Sequence, residues 1–525
     1  MGVFWTGLKY VFTDFSCWTS THGVPHIGMA NARWLRIFWI LVVLLSVALF
    51  LWQFALLLKN YLSFSVNTET TLQFAERTFP TVTICHLNPW KLDESRSVDA
   101  QMSSLIDAYN EEASSPKFGW SGSFDAKRQQ QAAKWTLLYS QRLQNEQYNQ
   151  DYNIAYSYAD MVVSCTYNAK TCNLTDFTDF YNPTYGNCLQ FNNDGHYISS
   201  RAGPLYGLRM VMRTDQNTYL PWTESSGVII DIHMQDEIPY PDVFGYFAPP
   251  GTASSLGVNY VSTKRLSKPY GTCTEQKTLD TTHYQGKYTV EACFRSCLQD
   301  RITDQCGCYY PAYSHAPNTT EFKTCDDGTL KNLNCIDGIN NANSTEFDVL
   351  TDCNCPPPCE SDSFGVTVST AKWPSTSYTP TDCNPSKSGS GPWVDAGESC
   401  IDWYKENTLL IEIYYERMNY QVLTESPAYT FVNFISDTGG QVGLFLGMSI
   451  ISVVEFCVLF FLICYYCLTH KSRRMEIEKM EMDIKKARDE VEEVAAKRKK
   501  HQMDNAGIYE VDHTDVVPPK PVDNT

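Results

Sequence analysis

The sequence predicts an α+β membrane protein with two transmembrane helices, and three observations predict it. Two apolar runs, each long enough to cross a bilayer, lie far apart; sixteen of the 20 cysteines fall between them; and that interval mixes strand-like alternation with helical stretches. The first run, residues 37–58, is apolar except for Ser46 and Gln53, and a helix of that length spans about 30 Å. It starts too late, is too long and lacks a small-residue cleavage site, so it reads as a span and not as a signal peptide. The second run covers 442–468.

Charge sets the orientation. Lys9, Arg33 and Arg36 outweigh Asp14 before the first run, and Lys471, Arg473 and Arg474 follow the second. By the positive-inside tendency both flanks are cytoplasmic. The chain then divides into 1–36 inside, a span at 37–58, 59–441 outside, a span at 442–468 and a tail at 469–525, a multi-pass plasma-membrane topology.

The cysteines agree with that placement. An even, dense set in one large interval reads as disulfides in an oxidising compartment. Cys306-Gly-Cys308 and Cys353-Asn-Cys355 have zinc-like spacing, but no histidines cluster beside them, and no metal or other cofactor is expected. Asn173, Asn318 and Asn343 head glycosylation triplets in the same interval. Nearly all of the net charge of −18 also lies there. An acidic exterior attracts cations and basic ligands and argues against nucleic acid. No nucleophile elbow surrounds Ser255, and no enzyme is expected.

Within the interval, Phe79 to Lys91 alternates at Val82 and Ile84 and reads as a strand ending at Asn88-Pro89. Polar helical stretches dominate from about 96 to 160. Residues 207–235 hold two strand-like runs about a turn, "YTVEACFRSCLQDR" (288–301) has helical potential, and 407–423 gives another strand signal before the second span.

The stretch "SDTGGQVGLFLGMSIISVVEFCVLFFLICYYC", 436–467, carries the chemistry. An apolar helix has no need of a central carboxylate, and Glu455 in hydrocarbon is costly unless it faces water or a partner. It lies about 12 Å along a helix from Gly447, so a symmetric oligomer would form a glutamate ring there. A hydrogen-bonded packing role is the alternative. Gly443 and Gly447 also fit small-residue helix association.

Several motifs, in order along the chain, make a resemblance specific: His22-Gly23, Phe79-Pro80-x-Val82-Thr83-x-Cys85, "HMQDEIPY" at 233–240, "YTVEAC" at 288–293 and "GLFLGMS" at 443–449. The chain resembles the degenerin and epithelial sodium channel superfamily, and looks most like its invertebrate peptide-gated (FMRFamide-type) sodium channels through "HLNPWK" and "SDTGG". The resemblance implies a trimer, completed by two further subunits of the same or a related chain, with a hand-like ectodomain of palm, knuckle, finger, thumb and β-ball built on a β-sheet palm. It implies disulfides Cys85–Cys188, Cys165–Cys172, Cys273–Cys359, Cys293–Cys355, Cys297–Cys353, Cys306–Cys335 and Cys308–Cys325, leaving Cys383 and Cys400 for an additional bond.

The same resemblance assigns sites. Gly447-Met448-Ser449 matches the Gly-x-Ser selectivity segment, where the helix breaks and an extended tripeptide crosses the pore. Ser436 matches a gate-adjacent small residue, with helix capping as its alternative. His22 and Gly23 match a re-entrant element on the cytoplasmic side. Tyr270 stands where relatives carry a tryptophan that contacts the first span, with Tyr61 or Phe64 as its counterpart. The permeating ion implied is Na+ and the implied blocker is amiloride. The leading stimulus is a short amidated neuropeptide. Proton gating through clusters such as Asp236-Glu237 and Asp326-Asp327 is the alternative, followed by constitutive conduction and by a nonconducting disulfide-rich receptor anchored in the lipid bilayer.

Periodicity adds one reading. Ile477, Met480, Ile484, Ala487, Val491 and Val494 follow 3,4,3,4,3 spacing, the seam of a short coiled coil, with a membrane-surface helix as the alternative. The terminal "VVPPKPVDNT" reads as unstructured.

Overall fold

A computed structural model describes residues 2–111, 114–121, 126–150, 154–279, 283–314, 323–340, 347–384 and 391–505. The glycosylation triplets at Asn318 and Asn343, and the terminal proline-containing stretch, lie outside the described residues. The chain forms two compact units, one from residues 1–63 and 429–525 and the other from 64–428. The second is narrower than the interval 59–441, because 59–63 and 429–441 belong to the helical unit.

The helical unit begins with helices Gly2–Trp18, Val24–Met29 and Arg33–Leu62. The last is longer than the apolar run 37–58 at both ends. Apolarity marks the hydrocarbon thickness, whereas the backbone hydrogen-bond ladder continues through Arg33, Arg36, Lys59 and Asn60 until Ser63 closes it by donating its N–H to the carbonyls of Asn60 and Tyr61. The second apolar run is two helices, Phe431–Leu446 and Ile450–Asn505. The first starts well before 442, because the Thr430 hydroxyl accepts the Asn433 N–H at 3.2 Å and caps it. The second continues past 468 through a tail rich in lysine, glutamate and alanine, which are strong helix formers. Phe434 on the first half-helix packs against Phe54 and stacks on Tyr61, with ring centroids 5.9 and 5.3 Å apart.

The other unit is built on an eight-stranded sheet. Its strands run in the order Val66–Phe74, Asn419–Pro427, Thr252–Lys264, Thr408–Tyr415, Leu208–Arg213, Val162–Tyr167 and Lys170–Thr171, with Glu360–Lys372 also paired to Thr252–Lys264. A five-stranded sheet orders Tyr246–Ala248, Val228–His233, Thr81–His86, Gly186–Phe191 and Phe177–Asn182. One core joins side chains of both, among them Phe79, Val82, Ile84, Phe191, Met210, Ile230, Val258 and Ile411. The strand Thr81–His86 is buried at every position, so its polar side chains need internal partners. Thr83 bonds His233 at 2.7 Å and accepts from Gln190 at 3.1 Å. The polar helical stretch resolves into Leu92–Val98, Ala100–Asn110 and Ala126–Gln150, and a second core gathers Trp90, Leu105, Trp135 and Leu138 with Leu333 and Ile336.

Eight disulfides brace this unit: Cys85–Cys188, Cys165–Cys172, Cys273–Cys359, Cys293–Cys355, Cys297–Cys353, Cys306–Cys335, Cys308–Cys325 and Cys383–Cys400. Helix Val290–Cys306, capped by Thr289 and ended by the left-handed Gly307, carries three of these cysteines. Cys293 and Cys297 sit one turn apart and bind two neighbouring positions of a single return segment, so the bonds form nested rungs along one helix face. Cys383–Cys400 closes around a small aromatic core of Trp393, Trp403 and Tyr404. Asn173 is exposed in a turn beside Cys172.

Candidate functional site

The second apolar segment breaks at Gly447, Met448 and Ser449, which belong to neither half-helix. Gly447 takes a left-handed φ of 61° as it ends the first, and its N–H still reaches the Gly443 carbonyl at 3.0 Å. Two constraints demand glycine here. An L side chain is strained at that φ, and a Cβ would overlap the imidazole of His22. The second half-helix restarts as the Ser449 N–H donates to the Ser452 hydroxyl at 3.1 Å.

The amino-terminal segment seats itself against this break. The His22 N–H donates to the Leu446 carbonyl at 3.0 Å, the last of the first half-helix. Gly23, at φ 82°, turns the chain where a Cβ would overlap Val43 of the first membrane helix. His26 then stacks on Trp39 at 4.4 Å, and the Arg36 guanidinium donates to the Ala30 carbonyl at 2.8 Å. His22 contributes its backbone N–H and the bulk of its ring to this contact.

Glu455 is tied into the same contact. Its Oε2 accepts the Ser20 N–H at 2.8 Å, the Thr19 hydroxyl at 2.9 Å and the Ser20 hydroxyl at 3.1 Å, while Ser20 and Ser452 share a hydrogen bond at 2.6 Å. Phe15 packs on Phe456 at 5.3 Å. Several donors converging on one oxygen satisfy a charge that hydrocarbon could not hold. Sequence reasoning singled out Glu455 but missed Thr19, Ser20 and Ser452, whose only signal is a run of small hydroxyl residues just before His22-Gly23.

Ser436 lies inside helix Phe431–Leu446 and is exposed in the single chain. It does not cap that helix, because Thr430 does. Tyr270 meets Phe64 edge-on, with ring centroids 5.4 Å apart at 88°. Tyr61 packs on Phe431 and Phe434, with ring centroids 6.1 and 5.3 Å apart. Phe64 holds a left-handed φ of 47°, uncommon for a bulky residue, and so turns its ring at the very start of its unit.

Carboxylates gather around a cavity of about 530 Å³ lined by Asp231, His233, Glu237, Tyr240, Lys287 and Glu291 among others. In the adjacent pair Asp236-Glu237, Glu237 turns to Lys287 at 2.9 Å. Asp326-Asp327 diverge: Asp326 pairs with Arg142 at 3.2 Å, and Asp327 accepts the Thr329 N–H at 2.9 Å. Neighbours in a turn point to different partners, which adjacency in sequence does not reveal. Arg295 bridges Asp242 at 2.6 Å and Glu291 at 2.7 Å. Asp231 accepts the Tyr240 N–H at 2.8 Å, and burial pushes its carboxyl above the usual carboxylate range. Burial lowers the neighbouring His233, which stays neutral between Thr83 and the Met234 carbonyl. Among the described residues, no group of three or more His, Cys, Asp and Glu is placed to hold a metal.

Comparison with known proteins identifies this arrangement. The family described as "Amiloride-sensitive sodium channel" matches residues 15–459. The degenerin-like protein asic-2 of Caenorhabditis elegans is 31% identical over 96% of this chain and 97% of its own length. Degenerin del-1 of the same species is 40% identical over 61% of this chain, and degenerin deg-1 is 36% identical over 68%; this chain spans only 47% and 45% of those two proteins. These relatives are degenerins or degenerin-like, and the expected kinship with peptide-gated channels finds no support in them. A solved proton-activated chloride channel aligns with 81% of this chain and 97% of its own at 8% identity, but its TM-score of 0.30 is too low to bear on the fold. The family match over most of the chain, together with two membrane helices around a disulfide-rich domain that contains the β-sheets, shows that this chain belongs to the amiloride-sensitive sodium channel family of the degenerin and epithelial sodium channel superfamily, whose members are channels and not enzymes.

Proposed function

We propose that this chain is a pore-forming subunit of a sodium-permeable channel, and that extracellular protons, not a peptide, bias its opening. The observation that carries the conducting part is the backbone break at Gly447–Ser449 in the middle of an apolar segment. Unwound backbone at membrane depth is tolerated only where it is buried in protein or lines an aqueous cavity. Two further subunits of the same or a related chain would enclose that cavity, with Gly447, Met448 and Ser449 at its narrow part and Glu455 adding negative charge. Amiloride is the blocker expected from the family. Basic residues beside both spans support cytoplasmic termini, which would put His22 and Gly23 at the inner side of the break.

The proton reading draws on Asp231 and on the ion pairs Glu237–Lys287 and Arg295–Asp242 around the carboxylate-lined cavity. Protonation of Asp231 weakens the bond by which strand Val228–His233 holds the Tyr240 N–H in the connection that follows it, and a change of packing there is a stimulus of the kind that shifts a two-state channel. The peptide reading has only the acidic surface in its favour. An anchored receptor that conducts nothing has no use for a helix broken at midspan.

Expressing the chain alone under voltage clamp tests this, with acid steps and amidated peptides applied separately and external Na+ exchanged for a large organic cation. Acid-evoked, Na+-carried current without a peptide response is expected. A peptide response without an acid response would overturn the stimulus, and silence under both conditions with assembled subunits at the surface would overturn the pore.

A further inference from the structure

Helix Ile450–Asn505 runs through the membrane segment and on into a tail where Met480, Ile484, Val491 and Val494 stand more than half exposed. With Ala487 they occupy a single stripe at heptad spacing, which Ile477 extends by one position in the sequence. A large apolar stripe on an otherwise charged helix needs a cover.

We infer that the cover is the same stripe of neighbouring copies of this chain, wound together as a short parallel coiled coil. Three observations favour this occupant. The positions equivalent to Ile477, Ile484 and Val491 are all β-branched and alternate with Met480, Ala487 and Val494, the pattern of a parallel seam. One flanking pair is complementary: in a parallel pair, Asp483 of one copy faces Arg488 of the next, with the exposed side chains of both available to meet, against one like-charged pair, Glu476 and Glu481. Between 476 and 494, the stretch that carries the stripe, there are eight acidic residues against four basic ones, the helix's other lysines and arginines standing outside it at 471–474 and 497–500, so an anionic leaflet gains little from the stripe itself and a membrane-surface helix is disfavoured there.

The seam is only about two and a half heptads, too short to associate strongly in free solution. It has no need to, because each copy is held by its own membrane helices, and tethering raises the effective concentration to the order of millimolar. The inference rests on the proposed assembly of copies around a pore, which fixes the parallel direction.

Disulfide trapping in the full-length channel tests it, with Cys17, Cys457, Cys464 and Cys467, the free cysteines, replaced by serine. Ile484→Cys and Val491→Cys on the seam are compared with Lys486→Cys and Asp489→Cys off it, under a membrane-permeant oxidant, while oligomer size and current are followed in parallel. Seam cysteines are expected to link copies at least tenfold faster than the off-seam pair. Asp483→Arg should slow linkage at Ile484→Cys several-fold, and adding Arg488→Asp should restore it. Equal rates at the four positions, or no linkage in oligomers that conduct, would overturn the coil and leave the pore reading intact; absence of oligomers and of current would fail both, and is recognisable by those two readouts.

Discussion

The backbone N–H of His22 donates to the carbonyl of Leu446 at 3.0 Å, so a residue near the amino terminus closes the end of a helix more than four hundred positions later. Gly447 follows immediately, and the space that its missing side chain leaves is filled by the His22 ring.

Gly447→Ala should therefore abolish or severely reduce current while subunits still reach the surface. Two costs combine, a left-handed conformation worth about 1–2 kcal/mol for a residue with a Cβ and the collision with His22. Adding His22→Ala removes only the collision, so partial recovery is expected by voltage clamp. Full recovery would show that the backbone conformation carries no cost.

Glu455→Gln keeps the side-chain shape and an acceptor for Ser20 but removes the charge, whereas Glu455→Ala removes both. Single-channel conductance should fall a few-fold in the glutamine variant at low salt, and the deficit should shrink as salt rises and screens the charge. The alanine variant should lose open probability as well. Equal conductance in wild type and Glu455→Gln at low salt would leave Glu455 a purely structural clamp.

Tyr270→Ala removes an edge-to-face partner of Phe64. Such pairs are worth about 0.5–1.5 kcal/mol, so the half-activating stimulus should shift by about two- to twelve-fold, with Tyr270→Phe close to wild type. If Phe64→Ala and the double variant shift activation by simple addition, the two rings are not coupled.

His86 is fully buried, stacked on Tyr156 at 3.7 Å, with its pKa lowered by burial to about 4. Its Nδ1 lies 2.9 Å from the Asn88 carbonyl and 3.1 Å from the Asn88 N–H, and its Nε2 sits 2.9 Å from the Thr214 carbonyl, so the neutral ring finds a backbone partner with the proton on either nitrogen. The unfolded chain takes up the proton near pH 6.5 and the folded chain only near 4, so stability is fully present above 6.5 and is lost as pH falls toward 4. The loss from this group is about 3 kcal/mol. Thermal unfolding of the disulfide-rich unit followed across that range should show the decline, and His86→Phe should flatten it while lowering stability at neutral pH. An unchanged slope in that variant would assign the decline to other groups.

Cys383→Ala with Cys400→Ala opens a loop whose ends lie 17 residues apart, which removes about 3 kcal/mol of constraint on the unfolded chain. A lower melting temperature with retained current is expected, since the aromatic core of Trp393, Trp403 and Tyr404 lies apart from the helix break in sequence and belongs to the other unit. Melting that does not change would mean that those aromatic side chains hold the loop alone.

What the sequence made legible follows physical range. The membrane helices announce themselves locally, because apolarity over about 20 residues has few other uses, and strands such as Thr408–Tyr415 and helix Val290–Cys306 carry their periodicity within a few turns. Thr252–Lys264, the central strand of the large sheet, escaped notice because "TASSLGVNYVSTK" is rich in Ser and Thr and gains its partners only from distant segments. The site divides the same way. A glutamate in an apolar run is conspicuous, whereas Thr19, Ser20 and Ser452 are ordinary residues that matter only once the chain returns to them. Spacing alone shows that the cysteines between the spans form a framework but not which joins which; and helix ends differ from apolar ends at 33, 62 and 431 because the backbone hydrogen-bond ladder, closed by Ser63 at one end and opened by the Thr430 cap at another, does not stop where apolarity stops.

Residues 19–22 grip both lips of the gap, holding Leu446 above it and Ser452 and Glu455 below. They behave as a strap across a hinge. Where copies of this chain enclose the proposed pore, its aperture would dilate only as the strap unhooks or travels with one lip, so a pull on the leading leg of the chain would set the bore remotely, and an agent that seized that leg would throttle flow without ever standing in the stream.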